Sequence, residues 1–155
     1  MSEPRIFLDK QTPSVFTSML ATAAEVRARA DELGLSRSLL ELVNVRVSQI
    51  NRCAYCLDMH TKKALQVGET TQRLGVLPAW RETQVFTDRE RAALRLAEGV
   101  TLVAGDHPAE QDRAAVREVL SADEVSVLTW AAITINAFNR VSIMSGHPVT
   151  ARESD

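Results

Sequence analysis

The only two cysteines of the chain stand as Cys53-Ala-Tyr-Cys56, and His60 follows four residues after the second. In a helix, at about 100° per residue, the two sulfurs and the imidazole fall within roughly 60° of one another on one face. Thiol, thiol and base then share a pocket. A cysteine attacks as thiolate, and an ordinary thiol with a pKa of about 8.5 is mostly protonated at neutral pH, so a reactive site must lower that value. Two devices are at hand. The N-terminus of the predicted helix, with its unpaired N–H groups, lies nearest Cys53. The imidazole, one turn after Cys56, can take that thiol's proton. They favour different sulfurs; His60 tips the reading toward Cys56, with Cys53 as the alternative. The i, i+3 spacing lets the remaining sulfur close a disulfide, which an external thiol or dithiol must reduce before the next turnover.

Glu41 precedes Cys53 by twelve residues. If the chain reverses at Asn51-Arg52, its carboxylate returns alongside the cysteine helix, where it can orient His60 and accept its proton. Tyr55, between the cysteines, is a candidate substrate contact, although tyrosines more often serve packing. A zinc site is the competing use of a C-x-x-C. It wants four ligands, and Cys53, Cys56 and His60 make three unless His107 or His147 joins them. We therefore expect neither metal nor cofactor. His107-Pro108 and His147-Pro148 read as loop histidines without a chemical partner in sequence and are left out of the site. Two buried, inert cysteines are the bland reading, which the flanking His60 and Glu41 weaken. A thioredoxin-like motif would need a βαβ context that this chain lacks.

Helices alone are expected to position these groups. No stretch shows the period-2 alternation of a half-buried strand. Thr12-Pro13 opens a first helix that Gly34 closes, and Ser36 caps a second that carries Glu41 among Leu39, Leu40, Leu42, Val43, Val45, Val47 and Ile50. The cysteine helix runs from about Cys53 to Val67, with Gly68 as its stop. A short helix and a loop anchored by Trp80 fill 69–86. Thr87 with Glu90 and Ser121 with Glu124 form capping boxes for two further helices, the first ending near Ala104. Pro108 is expected to begin a helix that ends near Leu120. The last helix is apolar on most sides. Together with the second it presents more apolar surface than one small core can hold, so a homo-oligomer is expected, with Trp80 and Trp130 in the core or at subunit contacts.

The 155 residues fit one domain, 1–155, large enough to need no disulfide staples. A net charge of −2 without a basic block argues against nucleic acid as a partner. No stretch has the length and apolarity of a signal peptide or membrane span, so a cytoplasmic location is expected. In a reducing compartment a close cysteine pair is more often redox-active or metal-binding than a staple.

Glu41, Cys53-x-Tyr-Cys56-x-x-x-His60 and the run from Thr61 to Gly68-Glu69 resemble the core motif of the AhpD-like branch of the carboxymuconolactone decarboxylase superfamily. Asn139-Arg140 is a weaker echo of a second motif. The resemblance implies an all-α bundle of about six to seven helices, assembled as trimers or hexamers. It also implies an alkylhydroperoxidase-like enzyme, a thiol-dependent peroxidase in which Cys53, Cys56, His60 and Glu41 form a redox and proton-relay set, with a hydroperoxide as substrate. The decarboxylase branch works without such a cysteine pair. Tyr55 stands where the best-studied two-repeat members can have histidine, and this chain is shorter than they are, so their lipoylated adaptor does not carry over as reductant. The alternative is a disulfide oxidoreductase or a redox-sensing protein of the same fold.

Overall fold

The computed structural model describes residues 4–152, and every regular element among them is helical. There are eight α-helices: α1 (Leu8–Gln11), α2 (Pro13–Glu32), α3 (Arg37–Asn51), α4 (Ala54–Gln66), α5 (Thr71–Val76), α6 (Asp88–Thr101), α7 (Glu110–Arg117) and α8 (Ala122–Ser145), with a 3₁₀ segment over Leu77–Glu82. Six to seven helices are expected from sequence, and the extra one is α1. A four-residue helix is too short to show periodicity. It is fixed from afar, by Leu8 N–H donating to Ser145 Oγ at 3.0 Å and the Arg5 guanidinium donating to Gly146 O at 2.8 Å.

Local signals set most other boundaries. Ser36 accepts from Leu39 N–H at the start of α3, and both capping boxes form, at Thr87 and at Ser121. Two expectations need correction. The helix after Thr87 stops at Thr101 rather than near Ala104, because Gly105 and Asp106 N–H both turn back to Leu102 O. Pro108 does not open the next helix, which starts at Glu110 after Ala109; the proline instead packs on α6. A Cβ at Gly99 would lie 2.9 Å from Pro108 Cγ, so the absent side chain makes room for that contact.

Helix α3 is the hub, packed against α4, α6 and α8, while α2 lies along α8. Leu39, Leu40, Val43 and Val47 of α3 join Ala93, Ala97, Leu128 and Ile135 in one apolar cluster. Leu42 and Val45 point into another, with Ala64, Leu77, Trp80 and Leu94. Each buried leucine, valine or isoleucine here contributes about 1.5–3 kcal/mol, so the apolar positions of α3, which face both clusters, fix it at the centre of the bundle. Trp80 is buried and donates to Glu98 Oε1 at 2.9 Å, a core role as expected. Trp130 is 53% exposed, which rules it out of the core. No helix among the described residues is long and apolar enough to cross a membrane.

Candidate functional site

The site is made by a two-residue reversal. At the end of α3, Arg52 N–H bonds Gln49 O at 3.2 Å and Cys53 N–H bonds Ser48 O at 3.1 Å, a Schellman pair with Arg52 at φ +55°. Cys53 then takes an extended conformation as the residue before α4. The turn is held from α8. Asn139, fully buried, donates to Ser48 Oγ at 3.0 Å and accepts from Asn51 Nδ2 at 2.9 Å; Asn51 also donates to Asn136 Oδ1 at 2.8 Å. Asn139 is therefore a tie between α8 and the end of α3, while Arg140 turns back on its own helix to Asn136.

Because α4 returns beside α3, Glu41 meets His60, with Oε2 at 2.6 Å from Nδ1 and both side chains buried. A carboxylate on Nδ1 makes that nitrogen the N–H donor and leaves Nε2 as the one that can take a proton. Asn44 adds a 3.4 Å bond to Oε2, and the Arg37 guanidinium lies 3.7 Å from Oε1. Burial pushes the Glu41 carboxyl up. The His60 hydrogen bond and charge, with help from Asn44 and Lys63, outweigh it and hold the group below its ordinary value of 4.5.

That direction fixes a pH dependence. A group whose folded pKa lies below its unfolded one contributes stability that is fully present above about 4.5 and is lost as pH falls through the folded value. Urea midpoints of wild type and Glu41→Gln, compared from about pH 6 down to about pH 3, should show the wild type losing stability relative to the variant as acid is added. A constant difference would mean that Glu41 carries no linked proton.

The two thiols touch, with the Cys53 S–H donating to Cys56 Sγ at 2.7 Å, and each residue is only 1% exposed. Burial, and then the hydrogen bond given to Cys56, push the Cys53 thiol up to about 12, more than the N–H groups of Cys56 and Tyr55 pull it down. The N–H groups at the helix end do favour a negative Cys53 sulfur, as read from sequence, but burial opposes them more strongly. The surroundings of the sulfurs differ as well. A cavity of about 660 Å³ opens over this face of α4, lined by Glu41, Tyr55, Cys56 and His60 but not by Cys53.

The far walls of the cavity come from α1, α2, α8 and the segment after α8. Here the expectation about His147 is corrected. Its Nε2 lies 3.0 Å from Asp9 Oδ1 and its Nδ1 3.2 Å from Ser142 Oγ, and its ring stands 5.6 Å from Phe7 and 5.1 Å from Tyr55. His147 pins α1 over the cavity, and with both ring nitrogens engaged it is not available as a fourth zinc ligand. Among the described residues no group of three or more His, Cys, Asp or Glu is placed to hold a metal ion. Tyr55, 39% exposed, lines the cavity beside His147. His107 does not line the cavity.

Comparison with known proteins agrees with this architecture. Residues 13–99 match the Carboxymuconolactone decarboxylase family. The chain is 37% identical over 118 residues to the uncharacterized protein YdfG of Bacillus subtilis (strain 168), covering 76% of this chain and 80% of YdfG. It is 31% identical over 61 residues to the uncharacterized protein YnjA of Escherichia coli (strain K12), covering 39% of this chain and 34% of YnjA. A crystal structure from Agrobacterium tumefaciens, ATU0492, superposes with a TM-score of 0.87 at 29% identity, over 97% of this chain and 100% of that one. ATU0492 is a protein of unknown function assigned provisionally to antioxidant defence as AhpD. With the motif, the helical fold and these matches in agreement, the chain belongs to the carboxymuconolactone decarboxylase family, as an AhpD-like member.

Proposed function

We propose that this protein is a thiol-dependent peroxidase that reduces hydroperoxides through Cys53 and Cys56. The observation that carries the reading is the pair of touching thiols of which only Cys56 lines a cavity, beside a His60 already bonded to Glu41. In the cycle, Cys56 gives its proton to His60 Nε2 and its thiolate attacks the terminal peroxide oxygen. An S–O bond forms, the O–O bond breaks, and the leaving alkoxide takes the proton back from His60 to depart as alcohol. Cys53 then attacks the Cys56 sulfenic sulfur; the S–S bond forms, the S–O bond breaks, and hydroxide leaves with the Cys53 proton as water. Two thiols and one hydroperoxide have become one disulfide, one alcohol and one water. An external dithiol restores the pair. Glu41 holds the imidazole and stabilises its charged form.

Turnover separates this enzyme from a sensor that oxidises once. With excess hydroperoxide and dithiothreitol, many equivalents of alcohol should form per chain, matched one to one by oxidised dithiothreitol. A single equivalent followed by arrest would refute a peroxidase.

The same reading includes a homo-oligomer. Trp130 (53% exposed), Ile133 (42%) and Met144 (73%) fall on one stripe of α8, about 60° wide at 100° per residue, and none of the three lines the cavity. A trimer or hexamer would cover it. Light scattering at micromolar concentration should give a multiple of 17.1 kDa, and a mass of one chain would refute the assembly.

A further inference from the structure

Hydrogen peroxide is a poor match to the cavity. A water-sized molecule fills about 30 Å³, whereas this space measures about 660 Å³, within the range of sites that enclose whole organic ligands. Its walls are apolar at Phe16, Leu20, Met59, Ile135 and Phe138. They also carry Lys10, Arg27, Arg37 and Lys63 against two carboxylates, Asp9 and Glu41. Both carboxylates are engaged by histidines, Asp9 by His147 and Glu41 by His60. The cavity is therefore both greasy and positive.

Arg27 stands out among these cations. The other half-buried arginines all have acceptors: Arg46 on Glu98, Arg73 on Glu69, Arg91 on the carbonyls of Trp80 and Thr83, and Arg95 on Asp112. Arg27 is half-buried on α2, lines the cavity, and has no ion-pair or hydrogen-bond partner among the described residues. A guanidinium offers five donors in a planar fork that suits a carboxylate. Half-buried beside an apolar wall, a guanidinium with no protein acceptor is left to water or to an anion that enters the cavity, and the anion is the stronger partner. Arg37 and Lys63 lie close to Glu41 and belong with the relay, whereas Arg27 comes from another helix, α2.

We propose that the cavity binds an organic hydroperoxide on an apolar chain that also bears a carboxylate, with the chain along the α2 and α8 side chains and the carboxylate on Arg27. This rests on the peroxidase reading for its chemistry, and the class of ligand is that of an oxidised fatty acid. The reaction is unchanged: the peroxide is reduced to the alcohol while the carboxylate serves only to position it.

The test uses the full chain with dithiothreitol and compares linoleate hydroperoxide with its methyl ester, which keeps the apolar chain and removes the charge. The acid should exceed the ester in kcat/KM by about tenfold to a hundredfold, the range of one charge-assisted hydrogen-bonded contact. In Arg27→Gln that ratio should fall to near one, with the loss in KM for the acid, and Arg27→Lys should restore part of it. Because the ratio is read, a general loss of activity does not mimic the effect. Equal rates on acid and ester in the wild type, or a ratio unchanged in Arg27→Gln, would overturn the proposal while leaving the peroxidase intact. If no hydroperoxide is turned over, the peroxidase reading falls alone. Calorimetry with laurate and methyl laurate then decides the ligand class: a tenfold preference for laurate that Arg27→Gln abolishes upholds it, and equal affinities overturn it.

Discussion

Replacing Cys56 by serine should lower peroxide turnover by at least about a thousandfold, the scale seen when a covalent nucleophile is removed, and should leave no oxidised sulfur on the chain. Serine keeps the size of the side chain but not the polarizable thiolate. Cys53→Ser should behave differently. Cys56 still faces the cavity and His60, so the first step survives, but no second thiol is present to release water. One equivalent of hydroperoxide should be consumed and a sulfenic acid should accumulate, trapped by dimedone at Cys56. The asymmetry follows from geometry: Cys53 lies behind Cys56, donates its S–H to it, and is pushed up to about 12 by burial. Dimedone labelling of Cys53 in Cys56→Ser, at a rate like that of Cys56 in Cys53→Ser, would reverse the roles of the two sulfurs.

The second large effect is expected at His60 and Glu41. General acid–base groups contribute about 10²–10⁴-fold, so His60→Gln should reduce kcat/KM within that range. Glu41→Gln retains an acceptor for the Nδ1 proton but not the charge that stabilises the imidazolium, and should lose a smaller part of the same factor. The double variant should be little worse than His60→Gln, because the two residues form one unit at 2.6 Å and their effects are not additive. Either substitution should also shift the pH profile of Cys56 alkylation to higher pH, a readout that a packing role would not move. A profile and turnover unchanged in Glu41→Gln would reduce Glu41 to a buried helix residue.

The sequence made the near half of this site legible because its signals are local. Cys53, Cys56 and His60 share one helix, and a break at Asn51-Arg52 is enough to bring Glu41 back beside them. Capping boxes at Thr87 and Ser121 are likewise closed within four residues. What stayed hidden depends on distant contacts. Asp9 and His147 are separated by 138 positions, and neither has a neighbour in sequence that suggests a partner. The exposure of Trp130 and the burial of Trp80 are set by which helix lies across them, not by the residues around them. Arg27 looks like any solvated helix arginine until α8 and α1 close a cavity on its other side. Pro108 carries a helix-start signal that loses to its packing against Gly99.

A single-turnover reaction tests the central claim most directly. Reduced protein, freed of dithiol and given one equivalent of cumene hydroperoxide per chain, should yield one cumyl alcohol and one Cys53–Cys56 disulfide within the same chain, seen as the loss of two hydrogens in the peptide that contains both cysteines. Alcohol formed without that intrachain bond, or disulfides found only between chains, would contradict the dithiol cycle.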